Sequence, residues 1–344
     1  MSKIKILSID GGGIRGILPG VILTRLEEKL QKQSEDESAR IADFFDLLAG
    51  TSTGGILSLA YLVRDPNNKE KPLLSAKDAV NLYLDRGDEI FDVNLWQKLK
   101  SGFGVTDEKY SADELEEALE DTFQDIMLRD LLKPCIISSY DIRNAKPHFF
   151  KQHKSRDNKI FNFKVKDVAR ATSAAPTYFE AARIKNELGT PYALVDGGLF
   201  ANNPTMVAYS EARTMKFPDK IDFPTAKDML IVSIGTGSQS QSYSYKKVKD
   251  WGLVNWVKPI IEIMMSGNSS ATHYHLTQIF DTLKKQYDKG CYHRLEPEVI
   301  SADSQMDNAS VENLKLLKED ALNYVSKPEI DKELNVIAKK LLDN

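Results

Sequence analysis

Gly50-Thr51-Ser52-Thr53-Gly54 stands between an apolar run, Leu47-Leu48-Ala49, and a helical pattern from Ile56 to Leu62. This is the G-x-S-x-G spacing of a nucleophile elbow. A sharp strand-to-helix turn strains the backbone at the serine, and Gly50 and Gly54 remove the Cβ atoms that would clash there. The Ser52 oxygen is then exposed at a helix N-terminus, where the dipole favours a developing negative charge. A second stretch, Gly11-Gly12-Gly13-Ile14-Arg15-Gly16, follows a short strand and precedes a helix. A third, Asp196-Gly197-Gly198, ends another short strand, so that a carboxylate stands clear in a tight turn. Plainer readings exist: a serine-rich helix cap for the first and a turn-capping aspartate for the third.

The glycine loop admits two chemistries. Gly11, Gly13 and Gly16 satisfy G-x-G-x-x-G, the dinucleotide fingerprint. That reading needs a second strand ending in an acidic residue roughly 20 positions on. Here the position falls in Ser34-Glu35-Asp36-Glu37-Ser38, a charged loop with no strand before it. The alternative is a loop that presents backbone N–H groups to an oxyanion, with Arg15 holding its shape or adding positive charge. A serine elbow one βα unit later favours the oxyanion.

A serine nucleophile needs a proton acceptor. His148 and His153 flank a strand-like segment, His273 and His275 sit in a helical pattern, and His293 lies in a late strand. None follows a strand–turn signal. Asp196 does, and it is the better candidate.

These residues require elements to hold them. Ile4 to Ile9 reads as a first strand and Ile17 to Lys32 as a helix burying Val21, Leu23, Leu26 and Leu30. Helices are expected from Ala76 to Phe91, after a start signal at Ser111-Ala112-Asp113-Glu114, and from Asp167 to a stop at Pro176. Strands are expected at Pro134–Tyr140, Pro147–Lys151, Tyr192–Val195 and Asp228–Ile234, the last the clearest buried one. Trp251 to Met265 reads as a largely buried helix and Ala271 to Lys285 as another. An edge strand at Cys291–Leu295 and helices at Val311–Val325 and Pro328–Leu342 close the chain.

With 344 residues, 42% apolar and 28% charged, the chain suffices for one large α/β domain or two smaller ones. A net charge of −4 gives no electrostatic case for a nucleic acid polymer as partner. Cys135 and Cys291 make neither a disulfide framework nor a metal-ligand spacing. No run approaches the roughly 20 apolar residues of a bilayer span, and neither a signal-peptide core nor a lipidation motif is seen. The expectation is a soluble, cytoplasmic protein without a metal or other cofactor.

Taken in order, Asp10–Gly16, Gly50–Gly54 and Asp196–Gly198 resemble the D-G-G-G-x-R-G, G-x-S-x-G and D-G-G motifs of the patatin-like phospholipases. Phe45 to Gly55, Ala171 to Pro176 and Asn202-Asn203-Pro204 are similar to that family too, and the likeness covers about the first 240 residues. It implies a three-layer α/β/α fold with a central, mostly parallel sheet. It implies Ser52 as nucleophile, Asp196 as the base of a Ser–Asp dyad, and Gly11, Gly12 and Gly13 as oxyanion donors supported by Arg15. An aspartate near its ordinary pKa of about 3.9 is a weak base for an alcohol, so positioning and desolvation must do its work.

The resemblance also implies membrane phospholipids as substrate, with peripheral contact at the inner face of the membrane through residues 94–109 or near Ser266. Residues 1–295 are expected as the catalytic domain and 296–344 as a helical extension packed on it. The last third, from Ser266 to Arg294, is similar to bacterial patatin-like proteins, some of them anti-phage effectors activated by cyclic nucleotides. A cyclic oligonucleotide activator is therefore an expectation. Competing readings are an esterase or thioesterase on soluble substrates and a low-turnover storage or binding protein of the same fold.

Overall fold

The computed structural model describes residues 3–90, 113–218, 220–237, 243–284 and 291–343. The segment expected to touch a bilayer at 94–109 lies outside the described residues, as do Ser111 and Ala112.

Eight strands form one sheet: β1 (Ile4–Ile9), β2 (Leu47–Thr51), β3 (Cys135–Asp141), β4 (Lys146–Lys151), β5 (Ala182–Lys185), β6 (Pro191–Asp196), β7 (Met229–Ile234) and β8 (Tyr292–Leu295). Their order is β5-β6-β3-β2-β1-β7-β8, with β4 also paired to β3. Strands β1, β2, β3, β7 and β8 run parallel. The antiparallel pairs are confined to β4, β5 and β6. Every residue of β1, β2 and β7 is buried, as continuous apolar runs require when helices cover both faces.

The two faces separate by alternation along β1. Leu7 and Ile9 join one core with α1 (Ile17–Ser34), α2 (Thr53–Ala60), α3 (Ala76–Ile90), α4 (Asp113–Phe123) and α5 (Val165–Thr172). Ile4 and Ile6 join the other with α6 (Thr205–Ala212) and the second half of α7 (Leu253–Lys284). This is the mixed, mostly parallel α/β/α arrangement. The terminal helices α8 (Val311–Ser326) and α9 (Pro328–Leu342) pack on α1. Lys5 Nζ fixes the end of α9 by donating to the Leu341 carbonyl at 2.6 Å.

Three helical expectations are corrected. The two helices read around residues 251–265 and 271–285 are one 32-residue helix, α7, with Pro259 inside it. Proline removes one ladder bond but leaves the neighbouring ones intact. The first half of α7 is also far from fully buried: Leu253 is 89% exposed, Ile260 49%, Ile263 46% and Met264 45%. Helix α5, expected to run to Pro176, stops at Thr172, where the Ser173 hydroxyl takes the Ala169 carbonyl at 2.7 Å.

Candidate active site

Parallel strands deliver their C-terminal ends to one edge of the sheet, where α/β proteins bind ligands. Asp10 and the glycine loop leave β1 there, and Ser52 leaves β2. Strand β6 runs the other way, yet its register sets Asp196 opposite Ser139 of β3, beside the Ser138 that pairs with Thr51. Ser52 and Asp196 thus meet across β3. Both line one small apolar cavity with Ile56, Tyr83, Leu115 and Phe179.

Ser52 has φ 54 and ψ −126, a conformation that costs a non-glycine residue on the order of 1–3 kcal/mol. The surroundings enforce it. Its N–H donates to Thr172 Oγ1 at 2.9 Å, and that hydroxyl donates to the Ser138 carbonyl at 2.6 Å. Gly54 is indispensable to the turn, because a Cβ there would sit 2.2 Å from the Ile9 carbonyl oxygen and 2.6 Å from that of Asp10. Gly50 faces the same turn from its strand side.

Burial raises the Asp196 carboxyl to about 6, against the opposing pull of the Gly198 N–H and the nearby Ser52 hydroxyl. Oδ1 accepts from Gly198 N–H at 2.7 Å, while Oδ2 is buried with no partner. The Ser52 hydroxyl approaches the carboxylate without completing a directed hydrogen bond. Sites without substrate are commonly this loose. No histidine lines this cavity; His148, the most aromatic in its setting, is packed among Phe150, Phe163 and Tyr192, and burial lowers it to about 4.

The glycine loop divides its N–H groups. Gly11 donates to the Asn202 carbonyl at 3.0 Å, so its N–H is not open to an oxyanion; that expectation is corrected. Ile14 donates to the Met306 carbonyl at 2.9 Å. Gly12 and Gly13 N–H have no partner among the described residues. Gly13 has φ +60, and a Cβ on it would lie 2.2 Å from the Met306 carbonyl oxygen. Arg15 holds the loop's shape: Nε donates to the Gly12 carbonyl at 3.3 Å and Nη1 to that of Gly237 at 3.1 Å. Ser34–Ser38 forms the end of α1 and the turn after it, not the strand a dinucleotide site needs.

Beneath the loop lies a charge cluster that motif spacing does not reveal. Arg294 on β8 grips Asp10 with Nη1 at 2.8 Å and Nη2 at 2.7 Å, and also pairs with Glu296. Burial pushes Asp10 and Glu296 upward while Arg294 holds them back. Ser269 of α7 donates to Asp10 Oδ2 at 3.2 Å and accepts from Asn202 Nδ2 at 3.1 Å. Three distant segments therefore fix one loop. Thr172 is the other residue missed: it stands in a small-residue run that reads as packing, and only the sheet register brings it under Ser52.

Among the described residues, no cluster of histidine, cysteine, aspartate and glutamate fit to hold a metal is found, and no helix is long and apolar enough to cross a membrane.

Residues 7–209 match the family model described as patatin-like phospholipase. Patatin-like protein 4 of Arabidopsis thaliana is 33% identical over 331 residues, covering 92% of this chain and 81% of that protein. Patatin-like protein 2 of Oryza sativa subsp. japonica is 34% identical over 336 residues, covering 91% and 82%. Probable inactive patatin-3-Kuras 1 of Solanum tuberosum is 32% identical over 336 residues, covering 94% and 87%.

Proposed function

The chain belongs to the patatin-like phospholipase family, a family of lipid acyl hydrolases, and from that membership we propose that it cleaves phospholipid esters through an acyl-enzyme on Ser52 with Asp196 as base. One observation carries this reading. A serine held at positive φ on an elbow shares a cavity with a buried carboxylate whose Oδ2 has no hydrogen-bond partner.

The proposed steps use the groups at the cavity. Ser52 Oγ attacks the ester carbonyl carbon and its proton passes to Asp196. The carbonyl oxygen, now an oxyanion, takes the N–H groups of Gly12 and Gly13; in such sites one donor is worth about 3 kcal/mol of barrier. Collapse breaks the bond to the alcohol, which leaves with the proton from Asp196. Water then attacks the acyl-enzyme, giving its proton to Asp196, and the acid departs as Ser52 regains a proton. Ester and water become acid and alcohol. Asp196 is a stronger base at about 6 than an exposed aspartate, because desolvation has already penalised its charge.

The apolar lining of Ile56, Leu115 and Phe179 suits an acyl chain, which favours lipids over polar soluble esters. Contact with a lipid surface is proposed at the first half of α7. Ile261 and Met265 line the Ser52 cavity there, while Ile260, Ile263 and Met264 turn apolar surface outward. The exposed Lys246 and Lys247 precede them, and the basic charge suits anionic lipid.

Fatty-acid release from phospholipid vesicles, compared between the wild-type chain and Ser52→Ala, tests the reading. Release should vanish in the variant while its melting temperature stays within a few degrees. Retained release would refute the dyad. A cyclic oligonucleotide activator rests on the resemblance of the last third alone, and the same assay with a panel of cyclic dinucleotides tests it: release only with one nucleotide means a gated enzyme.

A further inference from the structure

A second cavity, of about 510 Å³, lies beside the glycine loop, and Met265 and Met306 line both it and the Ser52 cavity. Its lining differs sharply from that of the first: Asp10, Arg15, Glu262, Arg294 and Glu296 with several serines. The volume falls within the roughly 300–1,000 Å³ of small-ligand sites.

The charges in it are of two kinds. Asp10 and Glu296 both pair with Arg294, which is spent on them. Arg15 and Glu262 are different. Neither forms an ion pair with another described residue. Arg15 spends Nε and Nη1 on backbone carbonyls and makes no hydrogen bond from Nη2 among the described residues. Glu262, on α7, accepts from the Tyr243 hydroxyl at 3.0 Å. The two are near enough for the field of Glu262 to act on Arg15, after burial and Glu296, yet they do not close into a salt bridge. A guanidinium and a carboxylate that line one polar cavity without pairing can each take an opposite charge from a ligand.

We propose that this cavity seats the zwitterionic headgroup of the phospholipid substrate, the phosphodiester toward Arg15 and the ammonium on Glu262. The proposal rests on the acyl-hydrolase reading above. The acyl chain then lies in the apolar cavity and the headgroup in the polar one. The scissile ester falls at the glycine loop, between Met265 and Met306. Glu262 becomes a specificity-determining residue. It favours choline or ethanolamine headgroups over a neutral glycerol headgroup, because its carboxylate gains an opposite charge only from the former.

The test uses monomeric dihexanoyl lipids below their micelle concentration, so that binding to a lipid surface plays no part. The wild-type chain should prefer dihexanoyl phosphatidylcholine to dihexanoyl phosphatidylglycerol in kcat/KM. Glu262→Gln should lower that preference about tenfold through KM, as loss of one charge-assisted contact would. Glu262→Asp should restore part of it, and hydrolysis of p-nitrophenyl butyrate should not change. An unaltered preference, or an equal loss on both lipids, overturns the proposal. If no Ser52-dependent hydrolysis of p-nitrophenyl butyrate occurs, the acyl-hydrolase reading has failed instead. Calorimetry of glycerophosphocholine with Ser52→Ala, with and without Glu262→Gln, then decides the headgroup seat without turnover: binding lost with Glu262 supports it, and no binding refutes it.

Discussion

In the proposed reaction Asp196 is the base, at a position where burial holds its carboxyl at about 6. Only the carboxylate can accept the Ser52 proton, so kcat/KM should fall tenfold per pH unit below about pH 6 and level off above it. The same burial costs stability. The folded pKa lies above the 3.8 of a free aspartate, so between about pH 4 and pH 6 the folded chain holds more protons than the unfolded one. Stability from this group is therefore fullest below about pH 4 and is lost as pH rises through about 6. Asp196→Asn should abolish ester hydrolysis yet raise stability at pH 7 by about 2–3 kcal/mol, an advantage that disappears in acid. Thermal melts of both chains at pH 4 and pH 7 check the sign; a variant less stable at pH 7 would mean that the carboxylate is held by partners rather than penalised.

Helix α7 serves two environments along one length. Its second half buries Leu276 and Phe280 against the sheet, whereas its first half leaves Ile260 and Met264 about half exposed. A helix with apolar residues facing water beside the proposed acyl cavity is suited to lie at a lipid surface. Ile260→Glu with Met264→Glu should abolish co-sedimentation with phospholipid vesicles and cut vesicle hydrolysis at least tenfold. Neither residue lines the Ser52 cavity, so hydrolysis of soluble p-nitrophenyl butyrate should persist. Loss of both activities together would assign these residues to the cavity itself. The helix pattern is plain in the sequence here, but its burial is not. The apolar residues between Trp251 and Met265 read as core because apolarity records only that a residue avoids water, not what replaces the water.

Across the whole molecule, the glycine loop is held by residues that span most of the chain. Arg294 on β8 neutralises Asp10 at the end of β1, and the turn that leaves β7 between them carries Thr236, whose hydroxyl donates to the Gly11 carbonyl at 2.6 Å. Arg294→Met leaves the buried Asp10 carboxylate without its counter-charge and should cost about 3–5 kcal/mol in urea unfolding. Adding Asp10→Asn should recover part of that loss, since the orphaned charge, not the missing contact, carries most of the penalty. Full stability in the single variant would show that water reaches the cluster.

The three motifs and their order were legible because backbone constraint writes itself locally: glycines where Cβ atoms would strike carbonyl oxygens, and an aspartate at a strand end. They yielded the family, the fold class, and Ser52 with Asp196 as a pair to be tested. What the spacing could not state is which backbone donors remain open. Gly11, Gly12 and Gly13 are equivalent as letters, but the Asn202 carbonyl reaches Gly11 alone. Nor could it show Thr172 and Arg294, which take on their partners only through the register of β3 with β2 and of β8 with β7. Local sequence fixes turns because a turn is a matter of a few dihedrals. Hydrogen-bond partners far along the chain depend on how strands pair, and pairing is decided by the packing of the whole sheet.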